Sequence, residues 1–439
     1  MKKIFCSIFM GIAVITAVRA QESIYPAPAQ TQTIALTNAT VHVGNGQVIE
    51  NGMVVISGGK IVDVRPSTAI TDVKVIDCKG KHLYPGLILS NSQLGLVEVP
   101  SIRATNDSRE IGEVNSNIRS IVAYNTDSKV PFTLRNVGIL MANIVPLGGV
   151  ISGTSSVVQL DAWNWEDAAV ATDNGVHFNM PSLLTRRGGG RGGFGGFNFG
   201  ALQPSGDPIK RALEEIESVK AFFKEAKAYA EATGHSATNL KYEAVKGLFT
   251  KKQKLFIHCN IVKEMLIAVD FVKDFGFDVV IVGGVDSYLI ADLLKQNNIA
   301  VILEQLHSLP TMVDDDVDQP YKTPAMLQKA GVLFAINDED GNTRYRNLAF
   351  NAGTSVAYGL TKEEALTAIT LNPAKILGID SIAGSLEKGK DANIIVCDGD
   401  ILDMKTNIIT DAFIQGRKVD LSDKQKQLYE KYKYKYGLK

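Results

Sequence analysis

Residues Leu83 to Gly95 read L-Y-P-G-L-I-L-S-N-S-Q-L-G, and this stretch decides how the rest of the chain is understood. Tyr84, Pro85 and Gly86 form a turn. The apolar run Leu87 to Leu89 then reads as a short buried strand whose end carries Ser90, Asn91, Ser92 and Gln93. That is the pattern of a barrel's entry strand, in which the residues following the apolar run face the site.

The flanks have a different texture. Upstream, Ile34 to Leu36, Thr40 to Val43, Met53 to Ile56 and Ile61 to Val64 are short runs separated by Gly44-Asn45-Gly46, Asn51-Gly52 and Gly58-Gly59-Lys60, the punctuation of hairpins. Near the other end, Asn393 to Val396 and Ala412 to Ile414 repeat the style, broken by Gly389, Gly399 and Gly416. The first group alone would leave one sheet face uncovered. Residues 21–84 and 381–439 are therefore expected to form a small composite β-sandwich beside a (β/α)8 TIM barrel of residues 85–380. The length of 439 residues suits that architecture.

Strand candidates inside the barrel are Gly138 to Val145, Leu255 to His258, Val279 to Val282, Ala300 to Leu303 and Val332 to Ile336. The clearest helix starts at Asp207-Pro208, a capping acid followed by proline in the first turn, and runs towards Gly234. Another starts at Thr361, which forms a capping box with Glu364. Alternation of strands and helices implies a parallel sheet.

Net charge is −1, and no long basic run accompanies it, so nucleic acid is not an expected partner. Lys2 and Lys3, the apolar run Ile4 to Val18 and the small-residue end Val18-Arg19-Ala20 predict a cleavable signal peptide over residues 1–20. The mature protein is then periplasmic or secreted, with no membrane span, and no cysteine at the cleavage point offers a lipid anchor. Cleavage leaves Cys78, Cys259 and Cys397, an odd number that argues for buried free thiols over a disulfide framework, a Cys78 to Cys397 bridge being the alternative. Arg186 to Gly200 is too rich in glycine to pack a core and is expected to leave the barrel as a loop, with a lid over the pocket favoured over a nucleic-acid-binding role.

Pro85-Gly86-Leu87-Ile88 followed by a polar-x-polar pair resembles the first barrel strand of the amidohydrolase superfamily, and Gly384-Ser385-Leu386-Glu387-Lys388-Gly389-Lys390-Asp391-Ala392 resembles its re-entry signature. The resemblance is to the imidazolonepropionase and dipeptidase-like branches. It implies a hydrolase acting on carbon–nitrogen bonds other than peptide bonds, cyclic amides among them, and a metal held by five positions. In that superfamily strand one ends in Asp-x-His-x-His, histidines end strands five and six, and an aspartate ends strand eight.

Here Leu89 stands for the first acid, and Asn91 and Gln93 for the paired histidines. His258 keeps the strand-five position, Ile281-Val282-Gly283-Gly284 lacks the strand-six imidazole, and Asp338 keeps the strand-eight position, with Asp340 as a substitute. Zinc takes imidazole, carboxylate or thiolate ligands, and neutral amides hold it weakly. Without a metal no hydroxide is ready at neutral pH. One repair is Glu304, which follows Ala300 to Leu303 and would join His258 and Asp338 in a mixed site for one divalent ion, zinc or equally calcium or magnesium.

The alternatives are metal-free. Asp338 as base and His258 as acid would give hydrolysis without a cation. In a pseudoenzyme, His258 is a hydrogen-bonded relic and Asp338 is paired with Arg344 or Arg346, while the barrel binds a small molecule or partners an active homologue. Asn91 and Gln93 are then substrate-binding. Gly148 to Ser155 has the glycine spacing of a phosphate loop, but Thr154 replaces the lysine, so its amides around Gly149 and Gly153 are expected to hold a carboxylate or oxyanion of substrate instead.

Trp163 and Trp165 are expected to pack between barrel and loop rather than stack on a ligand. Arg103, Asp107, Arg109, Glu110 and Glu113 read as a surface network, and Asp314 to Asp318 as a solvated loop. In the tail, Leu428, Tyr429 and Tyr432 at helical spacing are expected to pack on the sandwich or on a second subunit of a homo-oligomer, whereas the Tyr/Lys alternation beyond Tyr432 is strand-like.

Overall fold

The computed structural model describes residues 25–184, 207–304, 306–310, 314–338 and 344–438. The signal segment, the Arg186 to Gly200 stretch and Asp340 lie outside the described residues.

The chain opens with β1 (Ile34–His42), β2 (Val48–Ser57), β3 (Lys60–Pro66), β4 (Lys74–Asp77) and β5 (His82–Pro85). It closes with β14 (Ile394–Cys397), β15 (Ile409–Ile414) and β16 (Arg417–Lys418). These form one sheet in the order β16-β15-β14-β5-β1-β2-β3, with β4 paired to β1. The two chain ends meet where β14 runs antiparallel to β5, Ile395 opposite Tyr84. The composite layer is therefore one curled sheet. Ile61 N–H donates to the Lys390 carbonyl and Gly389 N–H to the Ile61 carbonyl, which brings β3 back onto the segment ahead of β14. The curl encloses Leu36, Val41, Val54, Ile61, Leu83, Ile394 and Phe413, which removes the uncovered face that hairpins alone would have.

The second sheet has the order β13-β12-β11-β10-β9-β8-β7-β6. Its strands are β6 (Leu87–Ser92), β7 (Ile139–Ile144), β8 (Ile151–Gln159), β9 (Ala169–Asn179), β10 (Lys254–Cys259), β11 (Val279–Gly283), β12 (Ala300–Leu303) and β13 (Phe334–Ile336). Side chains alternate between two cores. Leu87, Leu89, Val176, Leu255 and Ile257 join the outer core under the helices. Ile88, Met141, Val157, Phe256, Val280, Ile302 and Ala335 fill the barrel interior.

The barrel departs from a fully parallel one. β8 is antiparallel to both β7 and β9, while every other neighbouring pair is parallel. Connection length is the reason: a parallel crossover needs about a dozen residues or more, and the segments 145–150 and 160–168 are too short to supply one.

β13 and β6 do not pair backbone to backbone. The side chain of Asn337 fills that seam: its Oδ1 accepts from the N–H groups of Ser90 (3.0 Å) and Asn91 (3.2 Å), and its Nδ2 donates to the Asn91 carbonyl (2.9 Å). Ile88 N–H donates to the Ile369 carbonyl below it. Truncation in Asn337→Ala orphans buried backbone groups, and an unmet donor or acceptor costs about 1–3 kcal/mol. We expect a loss near 2 kcal/mol in urea denaturation, and earlier proton exchange at Ser90 and Asn91; an unchanged midpoint would show that the seam closes without this amide.

The helix after Asp207 spans Pro208–Glu231, with the Asp207 side chain accepting from Ile209 N–H (3.0 Å). Thr361 and Glu364 form the expected capping box. The three cysteines among the described residues are buried and free. In the tail a single helix, Lys424–Lys435, continues through the Tyr/Lys alternation and buries none of its residues against the rest of the chain, so it does not pack on the composite sheet. Leu428, Tyr429 and Tyr432 are exposed, and the helix is tied down by Asp423 and Lys426 to Asn136. Trp165 packs against the outer core as expected, whereas Trp163 is exposed, with its ring beside that of Tyr25, centroids 5.7 Å apart.

Candidate functional site

Parallel strands point their C-terminal ends the same way, so β6, β10, β12 and β13 deliver their last residues to one rim. Asn91 reaches it because the β6–β7 register shifts between Leu89 and Ser92. It is buried, and its Nδ2 donates to Glu304 Oε1 at 2.5 Å, so the strand-one and strand-seven positions are joined directly. Gln93 is half-buried just beyond the strand, where its N–H donates to the Tyr345 hydroxyl at 3.0 Å.

His258 ends β10, and His177, 81 positions earlier on β9, faces it with Nδ1 2.9 Å from His258 Nε2. His177 is completely buried and stacks on Phe256. Burial pulls the His258 pKa down to about 4, and burial together with His258 pulls His177 well below the ordinary imidazole value. Both rings are therefore uncharged at neutral pH. Asp338 follows β13, is 1% exposed, and has Arg344 Nε 3.7 Å from its Oδ1. The expected ion pair with Arg344 is present.

A cavity of about 750 Å³ opens at this rim, walled by His258, Cys259, Asn260, Glu264, Glu304 and Leu309 among others. His258 and Glu304, named from sequence, share it, and Asn91 touches it through Glu304. Asp338, Gln93, Gly149 and Gly153 are not among its lining residues. Burial also raises the Cys259 thiol pKa, so it stays protonated.

Gly149 and Gly153 require a correction. The amides of Val150 and Ile151 donate to the Glu113 carbonyl and that of Thr154 to the Ile118 carbonyl, so the loop at residues 109–118 covers them. A Cβ on Gly149 would stand 2.5 Å from the Gly112 carbonyl oxygen, and one on Gly153 2.5 Å from that of Ile118. These glycines permit close backbone packing, and the neighbouring amides of Val150, Ile151 and Thr154 are already taken by the covering loop.

Hydrogen bonds within the protein occupy His258 Nε2 and one oxygen of Glu304, two of the donors a catalytic metal would draw on. Whichever tautomer the imidazole pair adopts, His258 Nε2 either carries a proton or offers its lone pair to His177, and neither form leaves it for a cation. Among the described residues no three histidine, cysteine, aspartate or glutamate side chains are grouped as a metal ion would need. At the strand-six position, the space a side chain on Gly283 would occupy is taken by Asn260.

Sequence reasoning missed His177, Asn337 and Glu264. The visible sign of the first was one imidazole between Val176 and Phe178 in an apolar strand. Glu264, buried on the helix after β10, accepts from the N–H groups of Leu183 (3.0 Å) and Asn260 (3.2 Å).

The profile described as "Amidohydrolase family" matches residues 322–419, from the helix before β13 through β16. Imidazolonepropionase of Thermoplasma volcanium is 37% identical over 86 residues, 19% of this chain and 21% of that one. Imidazolonepropionase of Flavobacterium psychrophilum is 27% identical over 155 residues, 31% of this chain and 38% of its own length. The matches thus span well under half of these curated relatives. The crystal structure of an amidohydrolase from Thermotoga maritima MSB8 superposes with a TM-score of 0.75 at 25% identity, covering 88% of this chain and 99% of that one. A solved fold covering most of the chain, joined to a family profile over the last barrel strand and the return to the composite sheet, is what ties this chain to the amidohydrolase superfamily: it is similar in fold over 88% of its length and in sequence over residues 322–419.

Proposed function

We propose that the chain is an exported protein that uses the amidohydrolase barrel to bind a small molecule of the class the superfamily opens at a carbon–nitrogen bond, at a mouth held by hydrogen bonds in place of a catalytic metal. One observation carries the reading: the atoms that would grip a cation grip each other, His258 Nε2 with His177 Nδ1 at 2.9 Å and Glu304 with Asn91 at 2.5 Å. Export rests on the basic, then apolar, then small-residue order of residues 1–20. No helix among the described residues is long and apolar enough to cross a membrane.

Asp338 favours a second reading, metal-free hydrolysis of a cyclic amide. It is a buried carboxylate at the strand-eight end with a guanidinium beside it, which is the arrangement of a held base.

Elemental analysis of protein expressed with added zinc, manganese and iron tests the first reading. Metal below about 0.1 per chain is expected, because a site without three anionic or imidazole donors does not retain these ions through purification. Stoichiometric metal that disappears in His258→Ala would overturn it. In the same preparations, hydrolysis of hydantoin or dihydrouracil by the wild type that is abolished in Asp338→Asn would establish the second reading over the first.

A further inference from the structure

The tail helix, Lys424–Lys435 with Tyr436 at its end, buries no residue against the rest of the chain. Polar ties hold its start: Asp423 Oδ2 accepts from Asn136 Nδ2 at 3.0 Å, and the Lys426 ammonium donates to Asn136 Oδ1. A helix this short is marginal in water without tertiary packing, so the face it leaves uncovered calls for a partner.

That face is sorted. At about 3.6 residues per turn, Leu428, Tyr429, Tyr432 and Tyr436 fall within about 100° of arc and form one exposed stripe. The rings of Tyr432 and Tyr436 stack, centroids 6.3 Å apart. Lysines flank the stripe on both sides: the ammonium groups of Lys431 and Lys435 stand 5.9 and 5.8 Å from the Tyr432 ring centre, and that of Lys433 stands 5.9 Å from that of Tyr429. Glu430, the one acid among residues 424–436, falls on the opposite face with Tyr434. Five lysines against that acid make the segment basic in a chain whose net charge is −1.

The pattern selects among partners. A second copy of the face would bring lysines against lysines, and like charges across an interface oppose association. Nucleic acid is gripped through arginine wherever planar, bidentate contact to phosphate matters, and the segment has none. Tyrosine suits a boundary where one end of the ring is apolar and the other wet, and lysine stems bend outward from such a boundary to reach anionic headgroups. The surroundings of the helix have the same character. Asn136 follows Arg135, which pairs with Asp161, and two residues beyond Asp161 the ring of Trp163 lies beside that of Tyr25, these two being 63% and 66% exposed. Tryptophan and tyrosine are the residues enriched at membrane–water interfaces.

We infer that the tail helix is a docking surface for a bilayer rich in anionic phospholipid, with Tyr429, Tyr432 and Tyr436 seated among the headgroups and Lys431, Lys433 and Lys435 on their phosphates. The helix lies on the bilayer and does not cross it. The assignment does not depend on what the barrel mouth binds.

Flotation of the chain as exported, residues 21–439, with vesicles of phosphatidylcholine alone or with about 30% phosphatidylglycerol tests it. Partitioning onto the anionic vesicles is expected to exceed that onto phosphatidylcholine at least about tenfold, and to decline as salt shortens the screening length. Each lysine near an anionic surface contributes about a fivefold gain, so Lys431→Gln, Lys433→Gln and Lys435→Gln together should weaken partitioning about a hundredfold. Tyr432→Ser with Tyr436→Ser keeps the charge and should weaken it about tenfold. Both variants change side chains that the fold does not bury, so their melting temperatures should match the wild type. Equal partitioning onto the two kinds of vesicle, or none onto either, would overturn the proposal. So would binding that the lysine variant loses and the tyrosine variant keeps in full, because a surface that seats no rings attracts any polyanion. A dimer in sedimentation velocity that Tyr432→Ser dissolves would make a second copy the occupant and overturn it too.

Discussion

Asp161→Ala should lower the unfolding free energy by about 3–5 kcal/mol, the range for removing one partner from a buried charge network. Asp161 lies just past the end of β8 and is 5% exposed. One oxygen pairs with Arg135, itself 3% exposed, and the other accepts from Arg417 Nη1 at 3.0 Å and from the Ala27 N–H at 2.9 Å. Arg417 Nη2 also donates to the Asp161 carbonyl at 2.9 Å. One carboxylate thus connects the N-terminal segment, the barrel and β16 of the composite sheet. Its loss leaves two largely desolvated guanidinium groups facing each other, and replacement by alanine supplies no acceptor for either.

The control is Asp63→Ala, which breaks the Arg65–Asp63 pair; both of its side chains are almost half exposed. That change should cost about 0–1 kcal/mol, because water solvates either group alone. Urea titrations followed by far-ultraviolet dichroism would compare them. Equal midpoints for the two variants would show that the Asp161 network does not hold the two layers together.

What could be read from the sequence follows how local the determining physics is. The entry strand, the helix opened by Asp207-Pro208 and the Thr361 box were legible because each is specified within about four residues, by a turn, a cap or an apolar run. The composite sheet was legible from a deficit, since hairpins with an uncovered apolar face need a second group of strands. The reversed strand β8 was not, because its residues carry strand character whichever way they run; direction is set by the short connections on either side. At the rim, the identity of Asn91, His258, Glu304 and Asp338 was visible, but not their pairing. Asn91 and Glu304 are 213 positions apart, and His177 meets His258 through a barrel register that no local pattern encodes. The surroundings of Gly149 and Gly153 were hidden for a related reason: the amides of Val150, Ile151 and Thr154 beside them are taken by a loop about 35 residues upstream.

The imidazole pair should make stability fall as pH falls, over a defined window. An unfolded histidine binds its proton near pH 6.5, whereas His258 in the folded barrel does so only near pH 4. Between these values the unfolded chain holds a proton that the folded site refuses, so unfolding is favoured increasingly on acidification. The contribution is fully present above about pH 6.5 and is lost by about pH 4, roughly 3 kcal/mol for His258 alone. His177 is shifted in the same direction and adds to it. Surface and buried carboxylates also weaken the fold in acid, so the informative quantity is a difference: urea midpoints from about pH 7 to about pH 4.5 for wild type and for His258→Gln. Glutamine does not titrate, and the variant, though weaker at neutral pH through loss of the His177 hydrogen bond, should show the shallower pH slope. Parallel slopes would mean that His258 is protonated as readily folded as unfolded, which a half-buried ring hydrogen-bonded to a second uncharged imidazole does not permit.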